Sequence, residues 1–188
     1  MRYILASASE RRKELLSRLV NDFDIIISNF EEDKVEFKGD IESYVISLSK
    51  GKALDVASKN IDNAIIIAAD TIVSIDNKIL GKPKDKEDAY NMLKLLSNNI
   101  HRVYSAVTVM NTSTNKIESK CIYTEVYFSN LTDEEIWSYI NTGECDDKAG
   151  AYGIQGFGGV FVEKINGCYY NVVGLPLNLL KKMLDVIK

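Results

Sequence analysis

Ala64-Ile65-Ile66-Ile67-Ala68-Ala69, followed at once by Asp70-Thr71, is the stretch whose reading decides the fold. Six apolar residues without a polar interruption suit a strand buried on both faces, the kind found at the centre of parallel sheets. The run then hands over a carboxylate. A carboxylate at the end of a central strand stands where open α/β sheets bind their ligands.

Toward the N-terminus, Arg2 to Ala6 reads as a short buried strand and Ser7-Ala8-Ser9 as a turn. Glu10 to Val20 follows as a helix, with Leu15, Leu16, Leu19 and Val20 on one face and Ser9 as its N-cap. Phe23 to Ser28 reads as a second apolar strand, and Asn29 to Asp40 as an acidic loop led by Glu31-Glu32-Asp33. Ile41 to Lys59 is a helix whose apolar stripe runs Ile41, Val45, Leu48 and then meets Lys52.

Toward the C-terminus, Ile72 to Ile75 and Lys78 to Leu80 read as strands joined by Asp76-Asn77, a pair suited to a tight turn. Asp85 caps a helix with Ala89, Met92, Leu93 and Leu96 inside. Arg102 to Met110 and Ile117 to Phe128 are extended around a polar tip at Asn111 to Asn115. Thr132-Asp133-Glu134-Glu135 is a capping box for a helix carrying Ile136, Trp137 and Ile140. Val160 to Ile165 and Cys168 to Val172 flank Asn166-Gly167, which predicts a hairpin. Leu177 to Ile187 is a closing helix behind Pro176. The sum is an α/β (α+β) fold with a mixed sheet flanked by helices, read as a single domain over residues 1–188.

Composition sets the outer limits. The chain has 188 residues, 46% hydrophobic and 27% charged, so it can bury a sizeable core. A formal net charge of −4 argues against a general nucleic-acid coat. The three cysteines, Cys121, Cys145 and Cys168, form no C-x-x-C pair and read as free thiols of a reducing cytoplasm. One histidine, His101, excludes a multi-histidine metal centre and is expected to be structural. No apolar run is long enough to predict a membrane span, and the charged start MRYILASASERRK is expected not to be a signal peptide.

Several residues carry chemistry. Arg11 and Arg12 stand on the first turn of a helix, where free N–H groups and the dipole attract anions. Two guanidinium groups there disfavour the helix unless phosphate oxygens occupy them, although two solvent-facing arginines are the plain alternative. Lys52 falls on an apolar stripe, so its ammonium must reach a carboxylate, reach a cleft, or snorkel. Asp70 can hold Mg²⁺ or activate water, or merely cap a turn. Glu31-Glu32 can add a carboxylate, or stay a solvated acidic loop. Lys82, between Gly81 and Pro83, can be aimed at a phosphate or remain a surface lysine. Gly150, Gly153, Gly156 and Gly158 allow close backbone approach to a ligand around Gln155, whose amide can read a base edge. The alternative is a glycine-rich turn with a surface glutamine. No Walker A loop and no nucleophile elbow occurs.

Taken in order, LASASERRKELL, KGKA, AADTIV, GKPKD, DKAGAYGIQG and INGCYYNVVGLPL resemble the Maf family of nucleoside triphosphate pyrophosphatases, from Leu5 to about Leu180. The resemblance is to the branch acting on dTTP and UTP. It implies a twisted mixed sheet with two lobes around a nucleotide-binding cleft, similar to inosine triphosphatases. It implies hydrolysis to the monophosphate and pyrophosphate, a divalent cation (Mg²⁺ or Mn²⁺) as cofactor, and a cytoplasmic enzyme. Asp70 matches the position of the proton acceptor. Arg11, Thr71 and Gln155 match specificity positions. Ser7, Arg12, Lys52 and Lys82 match phosphate-site positions, and Glu31-Glu32 an acidic position near the metal, with Asp70. The expected partner is a free nucleoside triphosphate, with neither nucleic acid nor membrane. A homodimer is the assembly to test. Glu10 departs from the proline usual at its position and brings a negative charge near the triphosphate. The rival readings are the same fold with another base preference (7-methyl-GTP or ITP), a nucleotide-binding regulator of cell division, and a structural protein without a ligand.

Overall fold

The computed structural model describes residues 1–187. In chain order it contains β1 (Arg2–Leu5), α1 (Glu10–Ser17), β2 (Asp24–Ile25), α2 (Ile41–Ala57), β3 (Ala64–Ile75), β4 (Lys78–Leu80), α3 (Lys86–Leu96), β5 (Ile100–Asn111), β6 (Lys116–Phe128), α4 (Asp133–Ile140), β7 (Val162–Asn166), α5 (Tyr169–Val173) and α6 (Leu177–Val186). Short 3-10 turns occupy Glu32–Lys34, Ala149–Ala151 and Phe157–Phe161. The strands form one seven-stranded mixed sheet in the order β2-β1-β3-β5-β6-β7, with β4 also on β3. β1 runs parallel to β2 and β3, whereas β4 and β7 pair antiparallel.

The chain divides into two compact units. The first holds residues Met1–Asp70, Ser105–Ile122 and the stretch from Gly174. The second holds Thr71–Tyr104 and Tyr123–Val173. β3, β5 and β6 each run covalently from one unit into the other.

In the first unit, β1 and the opening of β3 pair with Ile4 beside Ile66 and Leu5 beside Ile67. Ile65, Ile66 and Ile67 are wholly buried. Each contributes about 1.5–3 kcal/mol relative to exposure. α2 begins where Asp40 accepts the N–H of Ser43, and it buries Ile41, Val45, Leu48, Ala53 and Val56. In the second unit, Ala89, Leu93 and Leu96 of α3 pack with Ile136 and Ile140 of α4 and with Val73, Val126 and Phe128. The capping box on α4 is complete, because Glu135 Oε2 accepts from Thr132 N and Thr132 Oγ1 accepts from Glu135 N. Asp76 and Asn77 both take positive φ, 47° and 63°, as a tight β3–β4 hairpin requires.

Three local expectations need correction. The two strands expected at 64–69 and 72–75 are one strand of 12 residues, so Asp70 lies inside it. Its pairing with β1 stops at Ile67 and its pairing with β4 starts at Val73, and Asp70 falls in the gap. Phe23 to Ser28 yields only a two-residue strand, because Ile25 and Ile27 face solvent at a sheet edge. Cys168 to Val172 is not a strand. Thr124 Oγ1 bonds both the N–H and the C=O of Cys168, and the chain turns into α5 despite its β-prone Tyr and Val residues.

Candidate active site

The first unit gathers most of the charge. β1 ends at Leu5 and α1 begins at Glu10, so Ser7 to Ser9 form the turn between them. Ser9 Oγ accepts from Arg12 N, which caps α1. Ser7 Oγ accepts from Ser9 N at 3.2 Å and from the Arg12 guanidinium at 3.4 Å. Arg12 Nε donates to the carbonyl of Gly174 at 3.0 Å. That bond fixes the guanidinium between the turn and the approach to α6. Burial lowers the proton affinity of Arg12, the charge of Asp70 opposes this, the charge of Arg11 adds to it, and Glu32 opposes it further.

Lys52 does reach a carboxylate. Its Nζ lies 2.5 Å from Asp70 Oδ1 and 3.0 Å from Glu32 Oε1, and its side chain is 14% exposed. One ammonium therefore bridges two carboxylates on a largely buried spot. Glu31 is elsewhere: it pairs with Lys34 at 2.5 Å and is exposed. Asp70 and Glu32 are thus the two acids that converge on a single cation point. Among the described residues no group of three or more His, Cys, Asp or Glu side chains gathers as a metal cage. Mg²⁺ commonly binds through one or two carboxylates plus substrate phosphates and waters, so the Asp70–Glu32 pair fits such an ion.

The acidic loop is held by one face of α2, which the sequence reading missed. Asp55 Oδ2 accepts from Ser28 Oγ and Asn29 N, and Ser28 Oγ accepts from Phe30 N. Lys59 pairs with Asp55 and donates to Ile27 O. The Phe30 ring sits over Gly51. Tyr44 belongs to the same face. Desolvation raises the pKa of its hydroxyl, and so do the negative charges of Asp70, Glu32 and Asp33. The helical spacing of 44, 48, 51, 52, 55 and 59 was the available signal.

The second unit carries the remaining candidates. Thr71 is its first residue and is half-buried. Lys82 is exposed on the loop after β4. That loop is tied to the glycine-rich segment, since Gly150 N donates to Gly81 O at 3.0 Å. Gly150 has φ +70°, and a β-carbon there would meet Val73 at 3.0 Å, so this position demands glycine. Gln155 is exposed on the turn that follows. His101 is a core side chain. It is buried, with Nε2 2.8 Å from the Tyr152 hydroxyl, and desolvation pushes its pKa down to about 3.

Comparison with known proteins gives a consistent picture. The family model described as Maf-like protein matches residues 2–187. A relative from Clostridium beijerinckii named dTTP/UTP pyrophosphatase is 60% identical over 188 residues, covering 100% of both chains. One of the same name from Clostridium novyi is 58% identical, over 97% of this chain and 96% of its own. In fold, the chain is similar to the Ham1 protein of Staphylococcus aureus (TM-score 0.53, 15% identity, 100% of both chains). It is likewise similar to a HAM1 protein of Coxiella burnetii (TM-score 0.52, 14% identity, 98% of both).

Proposed function

Because the chain belongs to the Maf family, we propose that it is a nucleoside triphosphate pyrophosphatase that hydrolyses dTTP and UTP between the α- and β-phosphates. The products are the monophosphate and pyrophosphate. The observation that carries the chemistry is the Lys52 bridge between Asp70 and Glu32, with Arg12 in the electrostatic field of both acids.

Asp70 is the base. Lys52 engages Oδ1 and fixes the carboxylate, and Oδ2 takes a proton from the attacking water. The water oxygen bonds to the α-phosphorus, the bond from that phosphorus to the α,β-bridging oxygen breaks, and the electron pair leaves on pyrophosphate. General-base assistance of this kind is worth about 10²–10⁴ in rate. Arg11, Arg12 and Lys82, with Ser7 and the N–H groups at the start of α1, neutralise the triphosphate and its growing charge. A divalent cation, Mg²⁺ or Mn²⁺, would be held by Glu32 and, through a water so that Asp70 keeps its role as base, by Asp70, and it would supply polarisation of phosphate oxygens. Glu31, turned to Lys34, is left to the loop's solvent face.

Gln155 reads the base. Its carboxamide oxygen accepts from N3–H of uracil or thymine while its NH₂ donates to O4, and cytosine presents the reverse at both atoms. A desolvated mismatch costs about 1–3 kcal/mol, a factor of roughly ten to a hundred. Thr71 is assigned to the same choice of substrate. We place the reaction in the cytoplasm, on free nucleotide, the kind of substrate in the relatives' name. A homodimer is the assembly that light scattering should look for.

The test is turnover on a panel of nucleoside triphosphates with Mg²⁺ or Mn²⁺, with pyrophosphate and orthophosphate detected separately. Pyrophosphate release from dTTP and UTP is expected. Orthophosphate as the first product, or a preference for a purine nucleotide, overturns the reading.

A further inference from the structure

Glu144 stands four residues beyond the end of α4 and is half-buried. Its carboxylate collects three donors. Phe157 N donates to Oε2 at 2.8 Å, Gly158 N to Oε1 at 3.1 Å, and the Tyr139 hydroxyl to Oε1 at 3.0 Å. The Tyr139 oxygen in turn accepts from Gly153 N at 3.2 Å. One acid and one phenol thus grip residues 153, 157 and 158, on both sides of Ile154-Gln155-Gly156. Lys148 holds Glu144 from behind, donating to its carbonyl at 2.7 Å.

The glycines around Gln155 record how tight this grip is. A β-carbon on Gly156 would come within 2.5 Å of Glu144 Cδ. One on Gly158 would lie 3.0 Å from the backbone of Gly153 and from the Tyr139 hydroxyl. One on Gly159 would lie 2.7 Å from the Ile154 carbonyl. The turn is wrapped on a carboxylate, and the side chain it presents outward at its middle is Gln155. A planar carboxamide discriminates between two bases only if its plane and depth are fixed, because a rotation or a shift of about 1 Å lets either pattern be met.

We propose that Glu144, with Tyr139, is the positioning residue for Gln155, and that this clamp sets discrimination of uracil and thymine against cytosine. The inference rests on the base-reading role given to Gln155 above. It assigns Glu144 no contact with substrate.

The test compares kcat/KM for UTP and CTP in the whole enzyme. Glu144→Gln keeps the shape but replaces one acceptor oxygen by a donor, so a backbone N–H of Phe157 or Gly158 is left facing an NH₂ group. The UTP-to-CTP ratio is expected to fall about tenfold, with the change in KM for UTP exceeding that in kcat. Tyr139→Phe removes only the hydroxyl, and it is expected to move the ratio in the same direction even if Glu144→Gln folds poorly. In Gln155→Ala the ratio should collapse, and Glu144→Gln added to it should change the ratio no further. A lowered melting temperature with an unchanged ratio in both Glu144→Gln and Tyr139→Phe makes the clamp merely structural and overturns the proposal. A Gln155→Ala variant that keeps its ratio instead sinks the base-reading role itself, and the proposal with it.

Discussion

The ring of Phe30 lies directly on the backbone of Gly51: a β-carbon at Gly51 would stand 2.5 Å from both Cε atoms of that ring. Gly51 is in the middle of α2, one residue before Lys52, and Phe30 is two residues before Glu32. This contact, with the Asp55 and Ser28 bonds beside it, sets how far the acidic loop descends toward Lys52. Gly51→Ala gains about 1 kcal/mol of helix propensity but lifts Phe30, and with it Glu32. The expected result is a folding stability that changes little and a kcat/KM for UTP lower by about tenfold, the scale of one charge-assisted bond. Urea unfolding and steady-state kinetics on the same preparation check both halves. Unchanged kinetics would mean that the loop is not placed by this contact.

Asp70 contributes negative charge to the region proposed to accept the triphosphate. Its field is the largest influence favouring the charged form of Arg12, against the cost of burial. Asp70→Asn therefore does two opposite things. It removes the proposed base, which should lower kcat by about 10²–10⁴. It also leaves Arg12 and Lys52 facing one fewer carboxylate, which should tighten binding of a non-hydrolysable triphosphate measured without added metal. Calorimetric titration with the metal omitted separates the two effects. Weaker binding together with full turnover would remove Asp70 from the chemistry.

Much of this arrangement was legible in the sequence, for identifiable reasons. Ala64 to Ala69 declared a central strand because a strand covered on both faces has no polar side to confuse the reading. The Thr132 capping box and the Asp76-Asn77 turn are local chemistry and appear as expected. Lys52 was visible as a cation on an apolar stripe. The parts that were not legible depend on distant partners. Tyr169 to Val173 has strand-like composition, and only the Thr124 and Asn171 bonds explain why it is helical. The span between Glu144 and Phe157 is a contact 13 residues apart through an irregular segment, which no periodicity marks. That Lys52 pairs with Glu32 while Glu31 pairs with Lys34 depends on the 3-10 turn at Glu32–Lys34.

His101 supplies a pH signature. Its ring is packed edge-on against Phe128 and Tyr152, and Nδ1 has no hydrogen-bond partner among the described residues. Nothing there stabilises a second proton, and burial lowers the folded-state pKa to about 3, from an ordinary value near 6.5. The group's contribution to stability is complete above the unfolded value. It is lost as pH falls from about 6.5 toward 3, because the unfolded chain takes the proton first. The chain has one histidine, so between about pH 6 and 5 this group dominates the slope, which should be about 1.4 kcal/mol per pH unit. Urea midpoints across that window should slope more steeply for the native sequence than for His101→Gln, in which only the carboxylates with lowered pKa, such as Asp55 and Glu125, still contribute as pH nears 5. Equal slopes would place the proton uptake elsewhere.

Gly167 is where the expected hairpin became a turn into α5. Its φ is +134°, and a β-carbon would lie 2.8 Å from Thr124 Oγ1 and 3.1 Å from Thr124 Cα. That hydroxyl accepts from Cys168 N and from Asn171 Nδ2, each at 3.0 Å, and donates to Cys168 O at 3.0 Å. Alanine at 167 is strained in its backbone and displaces the oxygen that organises the next four residues. The combined cost is expected at about 2–4 kcal/mol, from one unfavourable φ and one or two lost buried bonds. Thr124→Val removes the same hydroxyl without the strain, so it should cost about 1–3 kcal/mol. The double variant should be less destabilised than the sum, since both changes remove the same bonds. Denaturant midpoints of the two single variants and the double variant decide it. Strict additivity would mean that the strain at Gly167 acts alone and that the Thr124 hydroxyl does not hold the turn.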